Sequence, residues 1–174
     1  MKNPVLSTVS IFAALAFSLS PSFAAEKSVV DFFPDKLVDA NGKKVSRESL
    51  KGKTVGIYFS AHWCPPCRQF TPLLVKFRDK NKEQFEVVFV SSDNSPEEKK
   101  EYMTSEKMKW PTIEGIQSKE ATKLAQKFRI EGIPTLIIIG PDGKAITPDG
   151  REHVTNDPAG ALKLWQGATK KSAS

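Results

Sequence analysis

Three apolar runs constrain the fold of this chain more than any other feature of its sequence. They extend from Thr54 to Ser60, from Phe85 to Ser91 and from Thr135 to Ile139. Their apolar residues follow one another almost without interruption instead of alternating with polar ones, as is typical of strands that are buried on both faces. We therefore predict an α/β fold in which helices cover both faces of a central sheet.

Shorter elements are predicted on either side of these runs. A fourth apolar run, Val29 to Phe33, predicts a first strand. The turn sequence Asp39 to Gly42 is expected to close an N-terminal hairpin. A second turn sequence, Gly140 to Gly143, leads to a short final strand near Lys144 to Thr147.

The segments between the strands have the periodicity of amphipathic helices. Two sets recur at i, i+3, i+4 and i+7, namely Phe70, Leu73, Leu74 and Phe77, and Ala121, Leu124, Ala125 and Phe128. The sequence from Ser95 to Glu98 predicts a further helix start, because it combines a cap residue, a proline and a glutamate. Asn156 to Pro158 predicts the start of a terminal helix, with the expected buried face Ala161, Leu164, Trp165 and Ala168.

Residues 1–24 have the organisation of a secretory signal peptide. A mostly apolar stretch from Val5 to Leu19 is followed by small residues, and we expect cleavage after Ala24, with Ala25 as the second choice. A transmembrane anchor is the competing interpretation, but the stretch is short for a bilayer and contains several hydroxyl residues. We therefore expect a periplasmic or secreted protein without stable membrane insertion, in which residues 25–174 form a single domain.

The charge of the chain does not indicate a nucleic-acid partner. The formal net charge is +6 at pH 7, but lysines are interspersed with acids such as Glu97, Glu98 and Glu101. A solvated surface accounts for this pattern, whereas nucleic-acid binding calls for a basic stripe or patch. We expect a monomer that does not bind nucleic acid.

The chain has only two cysteines, and they lie three residues apart in the sequence Trp63-Cys64-Pro65-Pro66-Cys67-Arg68. This segment follows a predicted strand and begins a predicted helix, where free N–H groups and the helix dipole stabilise a thiolate. We therefore expect Cys64 to be the nucleophile and Cys67, one turn further in, to be the resolving thiol. The two prolines have no N–H, so the Cys67 backbone and thiol are the expected donors to the Cys64 sulfur.

Other interpretations of the cysteine pair fit the sequence less well. A purely structural disulfide would close too short a loop to stabilise the fold much. A zinc site needs two more ligands, and the only histidines are His62 and His153. Haem attachment requires a histidine after the second cysteine, where Arg68 stands. His62 itself either modulates the thiolate or is a solvent-facing residue without a role, and Trp63 is either a flat apolar lip for substrate or a core residue.

Together these motifs resemble the thioredoxin superfamily, and within it the tryparedoxin and nucleoredoxin branch. The segments that carry the resemblance are Tyr58 to Arg68, Phe85 to Val90 and Gly132 to Leu136, and weaker motifs extend it over nearly the whole mature chain. The resemblance implies a thioredoxin fold, with a central mixed sheet flanked by helices and the dithiol at the start of the first long helix.

The resemblance also implies a substrate-binding surface. In it, Pro134 is cis and packs against the disulfide, while the Ile133 backbone pairs with an extended substrate segment. Trp63, Pro65 and Pro66 complete the expected surface. An ordinary turn is the simpler explanation of an isolated Ile-Pro bond, because cis is the minority state of such bonds.

The chain departs from thioredoxins proper at Tyr58. At this position thioredoxins resemble one another in having a buried aspartate. The expected proton acceptor for Cys67 is therefore missing from this position. Asp93, beyond the third predicted strand, and Glu131, beside the Ile-Pro segment, are the candidate replacements. The alternative interpretation of either carboxylate is an ordinary surface group.

From these residues we expect a protein-disulfide reductase that uses Cys64 and Cys67 and needs no metal or organic cofactor. Its expected partners are protein disulfide substrates and an unidentified electron-donating thiol reductase, because export places the dithiol in an oxidising compartment. A disulfide oxidase or isomerase with the same site, a peroxidase and a non-catalytic binding module are the alternative functions.

Overall fold

The computed structural model describes residues 28–171 and contains one mixed sheet of seven strands. The strands are β1 (Leu37–Val38), β2 (Lys44–Val45), β3 (Thr54–Ser60), β4 (Phe85–Ser91), β5 (Thr112–Ile113), β6 (Thr135–Ile139) and β7 (Ala145–Thr147). Their order in the sheet is β2-β1-β5-β4-β3-β6-β7. The predicted signal peptide, residues 1–24, lies outside the described residues.

The centre of the sheet is β3, which pairs in parallel with β4 and antiparallel with β6. Every residue of β3 and β4 is buried, as expected for strands covered on both faces. All three central strands have the predicted bounds. The predicted N-terminal hairpin and final strand are also present, as the β1–β2 pair and as β7.

Five α-helices flank the sheet: α1 (Pro65–Asn81), α2 (Pro96–Ser105), α3 (Lys119–Lys127), α4 (Gly150–Asn156) and α5 (Ala161–Lys171). Serine side chains cap two of them, because Ser95 Oγ accepts the Glu98 N–H at 3.1 Å and Ser118 Oγ accepts the Ala121 N–H at 3.3 Å. One core cluster, around Phe85 and Trp165, contains residues of α1, α2, α4 and α5. The other, around Ile57 and Leu124, contains residues of α3. The predicted arrangement of helices on both faces is therefore confirmed.

The apolar run from Val29 to Phe33 is not a strand, contrary to the prediction. Residues Val29–Phe32 form a 3-10 helix whose Val29 N–H donates to the Pro141 carbonyl at 3.2 Å. Val29, Val30 and Phe33 are buried in the core, while Asp31 is exposed. The run is short, and its spacing of buried residues fits a helical turn better than the period of two in a strand.

The C-terminal helices differ from the prediction in two ways. Helix α4 is absent from the prediction, and the terminal helix begins at Ala161 rather than directly after Pro158. Its buried face is Ala161, Leu162 and Trp165, whereas Leu164 is 55% exposed and Ala168 is exposed. The buried face of the helix is therefore rotated toward Leu162 relative to the predicted one. In α1, Leu73 also differs from the predicted face, since it is 45% exposed.

Within residues 28–171, none of the helices has the length and apolar character needed to cross a membrane.

Gly150 allows α4 to lie directly on β6, because it has no side chain at the point of contact. A Cβ atom at Gly150 would lie 2.6 Å from the Leu136 carbonyl oxygen, a backbone atom that cannot turn aside. We expect Gly150→Ala to lower the free energy of unfolding by about 1–3 kcal/mol, the usual cost of overpacking. Urea denaturation measures the change.

The matched control is Gly167→Ala, which makes the same substitution in α5. A Cβ atom there would meet nothing within 4 Å, so we expect stabilisation by roughly 0.5–1 kcal/mol from higher helix propensity. Equal effects of the two substitutions would contradict the close approach of α4 to β6.

Candidate active site

The strand pairing brings three segments to one edge of the sheet. The carboxyl ends of the parallel strands β3 and β4 meet there, and the Ser92 N–H donates to the Ser60 carbonyl at 2.9 Å. Because β6 runs antiparallel to β3, its amino end with Ile133 and Pro134 lies at the same edge. The cysteine segment follows β3 directly, so the two motifs predicted to act together are neighbours in space.

Cys64 and Cys67 are joined by a disulfide at the start of α1. Cys64 is the N-cap residue rather than the first helical residue, and its Sγ accepts the Cys67 N–H at 3.3 Å. Pro65 and Pro66 occupy the first two helical positions and are exposed. The donor to the Cys64 sulfur is therefore the Cys67 backbone, the first residue after the prolines with an N–H. Cys64 is 4% exposed, and Cys67 is fully buried.

The Ile133–Pro134 peptide bond is cis, as the resemblance implies, and Ile133 packs against the buried cluster of Ala61, Cys64 and Cys67. The Ile133 carbonyl oxygen lies 3.8 Å from Cys64 Sγ. Among the residues that the structure describes, no group accepts a hydrogen bond from the Ile133 N–H. An unpaired backbone amide next to the exposed side of the disulfide is suited to pairing with an extended chain.

Trp63 is 53% exposed, and it is not a core residue. Its Nε1–H donates to the Ser92 carbonyl at 3.0 Å, which holds the indole beside the end of β4. Trp63 and Ile133 line a surface groove of about 430 Å³ that extends toward α3. The groove has an apolar floor that includes Phe59 and Val90, and Glu131 is also one of its lining residues. It is large enough for a side chain of a bound polypeptide.

Asp93 is fully buried, which overturns the interpretation of it as a surface group. Its Oδ1 accepts the His62 backbone N–H at 2.6 Å, and its Oδ2 accepts the Ser91 hydroxyl at 2.6 Å. His62 lies two residues before the first cysteine, so the carboxyl group is bonded directly to the cysteine loop. Glu131, the other candidate, is exposed.

Four buried hydroxyl groups form a closed ring below the first turn of α1. The Tyr58 hydroxyl lies 2.8 Å from Thr71 Oγ1 and 3.0 Å from Ser60 Oγ. The Tyr102 hydroxyl completes the ring, 2.6 Å from Thr71 Oγ1 and 3.0 Å from Ser60 Oγ. Thr71 Oγ1 also donates to the Cys67 carbonyl at 2.9 Å. The ring therefore ties β3 and α2 to the turn that carries the second cysteine.

The ring is a neutral substitute for a buried carboxylate. Burial, reinforced by the neighbouring Tyr102, raises the pKa of the Tyr58 hydroxyl far above its ordinary value. Burial likewise raises the pKa of Tyr102. Both phenols therefore keep their protons at physiological pH, and the ring positions Cys67 without adding a charge below it.

A buried lysine is the most unexpected ionisable group near this edge. Lys99, on α2, is only 7% exposed, and its Nζ donates to the Ile113 carbonyl at 2.6 Å and to the Gly115 carbonyl at 2.8 Å. Burial lowers the pKa of its ammonium group to about 8. In the sequence Lys99 is part of a charged run that is typical of an exposed helix face, so no sequence signal points to its burial.

Of the four residues of the hydroxyl ring, only Tyr58 was singled out in the sequence, and Ser60 and Thr71 have only partial signals. Ser60 is two residues after Tyr58 in a strand, and Thr71 is one helical turn after Cys67, so each could be placed on the correct face. Tyr102 had no such signal, because α2 reaches the site only through the tertiary structure.

Two further residues of the cysteine segment flank the site. His62 is half-buried with its ring centroid 5.6 Å from that of Tyr102, and Arg68 is exposed.

Comparison with known proteins identifies the class to which this fold and site belong. A family model described as thioredoxin-like matches residues 52–145. The chain therefore belongs to the thioredoxin-like oxidoreductase family, and the predicted thioredoxin fold is confirmed.

Individual relatives agree with the predicted branch. Nucleoredoxin of Mus musculus is 44% identical over 124 residues, which is 70% of this chain but only 28% of that protein. Tryparedoxin of Trypanosoma brucei brucei is 43% identical over 125 residues, covering 70% of this chain and 85% of that protein. A solved structure of tryparedoxin from Trypanosoma brucei superposes with a TM-score of 0.69 at 39% identity, covering 79% of this chain and 96% of that one.

Proposed function

We propose that this protein is an exported protein-disulfide reductase that works through the Cys64/Cys67 dithiol. The observation that carries the proposal is the position of Cys64 Sγ. It lies at a helix start, accepts one backbone N–H, and is 3.8 Å from the carbonyl of Ile133, whose own N–H has no partner in residues 28–171. A nucleophile beside an open backbone edge can meet a disulfide that is presented by an extended polypeptide.

The reaction transfers two electrons from the dithiol to the substrate disulfide. The Cys64 thiolate attacks one substrate sulfur, a mixed disulfide forms, and the second substrate sulfur leaves as a thiolate that takes a proton from water. The Cys67 thiol then loses its proton and attacks the Cys64 sulfur. This step releases the remaining substrate thiolate and closes the disulfide between the two cysteines.

Substrate recognition is assigned to the surface around the disulfide. A segment that pairs with the Ile133 backbone would cross the exposed rings of Pro65 and Pro66 and contact the indole of Trp63. Pro134, the residue after Ile133, is buried. The groove beside Trp63 would take a neighbouring side chain of the same segment.

Asp93 is the better of the two candidate acceptors for the Cys67 proton. Its carboxyl group is buried and bonded to the cysteine loop through the His62 N–H, whereas Glu131 is exposed beside the groove. A general base must come within hydrogen-bond reach of its proton, directly or through one water, and of the two carboxylates only Asp93 is hydrogen-bonded to the cysteine loop within residues 28–171.

The resemblance to nucleoredoxins and tryparedoxins favours reduction of substrate disulfides over their formation. In an oxidising compartment the disulfide must then be reopened by an electron-donating thiol reductase. We expect a reduction potential closer to about −270 mV than to about −120 mV, the values of thioredoxin and of a strong oxidase. A potential near the second value would support the oxidase alternative.

The roles of the two cysteines predict different defects. Cys64→Ser should reduce insulin no faster than the uncatalysed reaction with dithiothreitol, because the attacking thiolate is missing. Cys67→Ser should still attack, but it should accumulate a mixed disulfide because nothing resolves it. Turbidity of precipitating insulin chains follows the reduction, and non-reducing gel electrophoresis detects the mixed disulfide.

Three outcomes would favour other functions. Equal performance of the native protein and Cys64→Ser would indicate a binding module that works without turnover. Faster reshuffling of scrambled disulfides than net reduction would indicate an isomerase. Rapid consumption of peroxide by Cys67→Ser would indicate a peroxidase.

The role of Asp93 predicts a defect in resolution alone. Asp93→Asn should slow release of substrate from the mixed disulfide by roughly 10²-fold, the lower range for loss of a general base, while the first attack keeps its rate. Stopped-flow measurement of one turnover with a thionitrobenzoate-labelled peptide separates the two steps. Glu97→Gln, which removes an exposed carboxylate on α2, is the matched control. If the release step were slow in Glu131→Gln and normal in Asp93→Asn, Glu131 would be the proton acceptor for Cys67 instead.

The proposed export depends on residues 1–24, the predicted signal peptide. Expression of the full chain tests it. We expect the protein in the periplasmic or secreted fraction, with Ala25 as the first residue in mass spectrometry of the intact chain. A chain that starts at Ala25 should remain in the cytoplasm. Recovery of the uncleaved chain from membranes would support the anchor instead.

A further inference from the structure

A second surface groove, the α1–α4 groove, lies between α1 and the region of α4 and the turn that follows it. Its volume is about 330 Å³, and its walls are mainly apolar, with Leu73 and Phe77 from α1 opposite Val154 and Pro158. Leu73 is 45% exposed, although it lies between buried residues of α1 in the predicted apolar pattern. The groove is therefore a concave apolar surface in contact with water, which is a feature of binding sites.

The charge around this groove is positive. Among its described lining residues the only ionisable side chains are Lys76 and Lys80. Neither forms an ion pair with an N···O distance of 4.0 Å or less within residues 28–171. The neighbouring carboxylates have other partners, since Asp79 pairs with Arg78 at 3.1 Å and Asp157 accepts a backbone N–H at 3.0 Å. The groove therefore suits an acidic ligand.

The exposed face of α1 connects the α1–α4 groove with the redox site. Pro65, Gln69, Leu73, Lys76 and Lys80 are all exposed and follow one another at spacings of three or four residues. Such spacings place side chains in one row along a helix. The row begins directly after the first cysteine and is about 22 Å long, at a rise of about 1.5 Å per residue.

A protein that reacts at Cys64 must cover more surface than the redox site itself. A stable interface buries about 800 Å² of each partner, which corresponds to a patch roughly 30 Å across. The row of exposed residues on α1 lies within this reach. Arg68, one turn from the first cysteine, is exposed and has no ion pair in the part of the chain that the structure describes, so it adds a third cation to this face.

We propose that the α1–α4 groove is a docking site for protein substrates that present an apolar side chain flanked by carboxylates. The apolar side chain fills the groove against Leu73 and Val154, and this burial supplies affinity. The carboxylates lie beside Lys76 and Lys80, where opposite charges speed association and fix the orientation of the substrate. The role in turnover rests on the proposed disulfide reduction, whereas the preference for an acidic segment is a property of the groove alone.

Binding to the groove is measured on the oxidised protein without any reaction. The ligand is a synthetic peptide without cysteine, in which one phenylalanine stands between glutamates, and a second peptide has lysines in their place. We expect the acidic peptide to shift the methyl NMR signals of Leu73 and Val154. Leu164 is 55% exposed and does not line the groove, so its signals should not move. If neither signal shifts, or if both peptides shift them equally, the proposal is wrong.

The effect of charge on turnover is measured with linked substrates. A small disulfide peptide is joined to the acidic or the basic segment by about twelve Gly and Ser residues, which span about 19 Å on average. We expect kcat/KM to be about tenfold higher for the acidic form, and the ratio to fall as salt is added. Lys76→Glu combined with Lys80→Glu should reverse this order.

The matched control for this charge reversal is Lys51→Glu combined with Lys100→Glu. It changes the net charge equally at two exposed lysines outside the groove, so the acidic form should remain the better substrate. An unchanged order after reversal at Lys76 and Lys80, or equal effects of the two double variants, would contradict docking at the groove.

The apolar contact is tested at the two exposed leucines. Leu73→Ser should raise KM for the acidic linked substrate about fivefold without changing kcat, while Leu73→Met should keep the native value because it retains an apolar side chain. Leu164→Ser makes the same polar substitution outside the groove and should have no effect. A lower kcat of Leu73→Ser for the unlinked disulfide peptide would indicate a structural role and overturn the docking role.

Two other occupants of the groove give different results. A dimer in sedimentation experiments that dissociates in Leu73→Ser would assign the groove to a second copy of this chain. Binding to anionic phospholipid vesicles that is lost in Lys76→Glu combined with Lys80→Glu would assign it to a membrane surface. Either result would replace the proposal. If the native protein reduces neither the linked nor the unlinked peptide, the proposed function fails, while the NMR titration still decides whether the groove binds an acidic segment.

Discussion

The pairing of the central strand β3 is the constraint on which the rest of the structure depends. Because β4 runs parallel to it and β6 antiparallel, two carboxyl ends and one amino end meet at the same edge of the sheet. The cysteine segment, Asp93 and the cis Ile133–Pro134 bond are each attached to one of these ends. A shift of β6 by one residue would turn its side chains to the other face and separate Ile133 from the disulfide.

The site combines a ring of hydroxyl groups below one cysteine with a buried carboxyl group that contacts the loop before the other. Below Cys67, a ring of buried hydroxyls replaces the aspartate that thioredoxins have on the strand leading to their cysteines, and both of its tyrosines stay protonated. A buried carboxyl group is present instead at Asp93, beyond the end of the neighbouring strand, where it accepts the His62 N–H of the cysteine loop. The hydroxyl ring supports the turn that carries Cys67, and Asp93 supports the backbone that precedes Cys64.

Much of this arrangement could be predicted from local patterns. The three central strands, the starts of α1 and α2, the presence of α3, and the cysteine and proline motifs all follow from periodicity and from residues with narrow conformational preferences. The errors occurred where local patterns are ambiguous. The run at Val29 is apolar enough for a strand but packs as a helical turn, and the terminal helix has two apolar residues, Leu162 and Leu164, of which only one can face the core.

The sequence alone was sufficient to place the cysteine pair between a strand and a helix, because this placement depends only on neighbouring residues. It was also sufficient for the class of fold. The burial of Asp93 and Lys99 and the closure of the hydroxyl ring by Tyr102 were decided by the tertiary structure. The hydrogen bonds concerned join residues that are distant in the chain: 14 and 16 positions for those of Lys99, and 31 positions from Thr71 to Tyr102 and from His62 to Asp93. Such contacts depend on the packing of α2 against the sheet. No local pattern of charge or hydrophobicity predicts which distant residues this packing brings together.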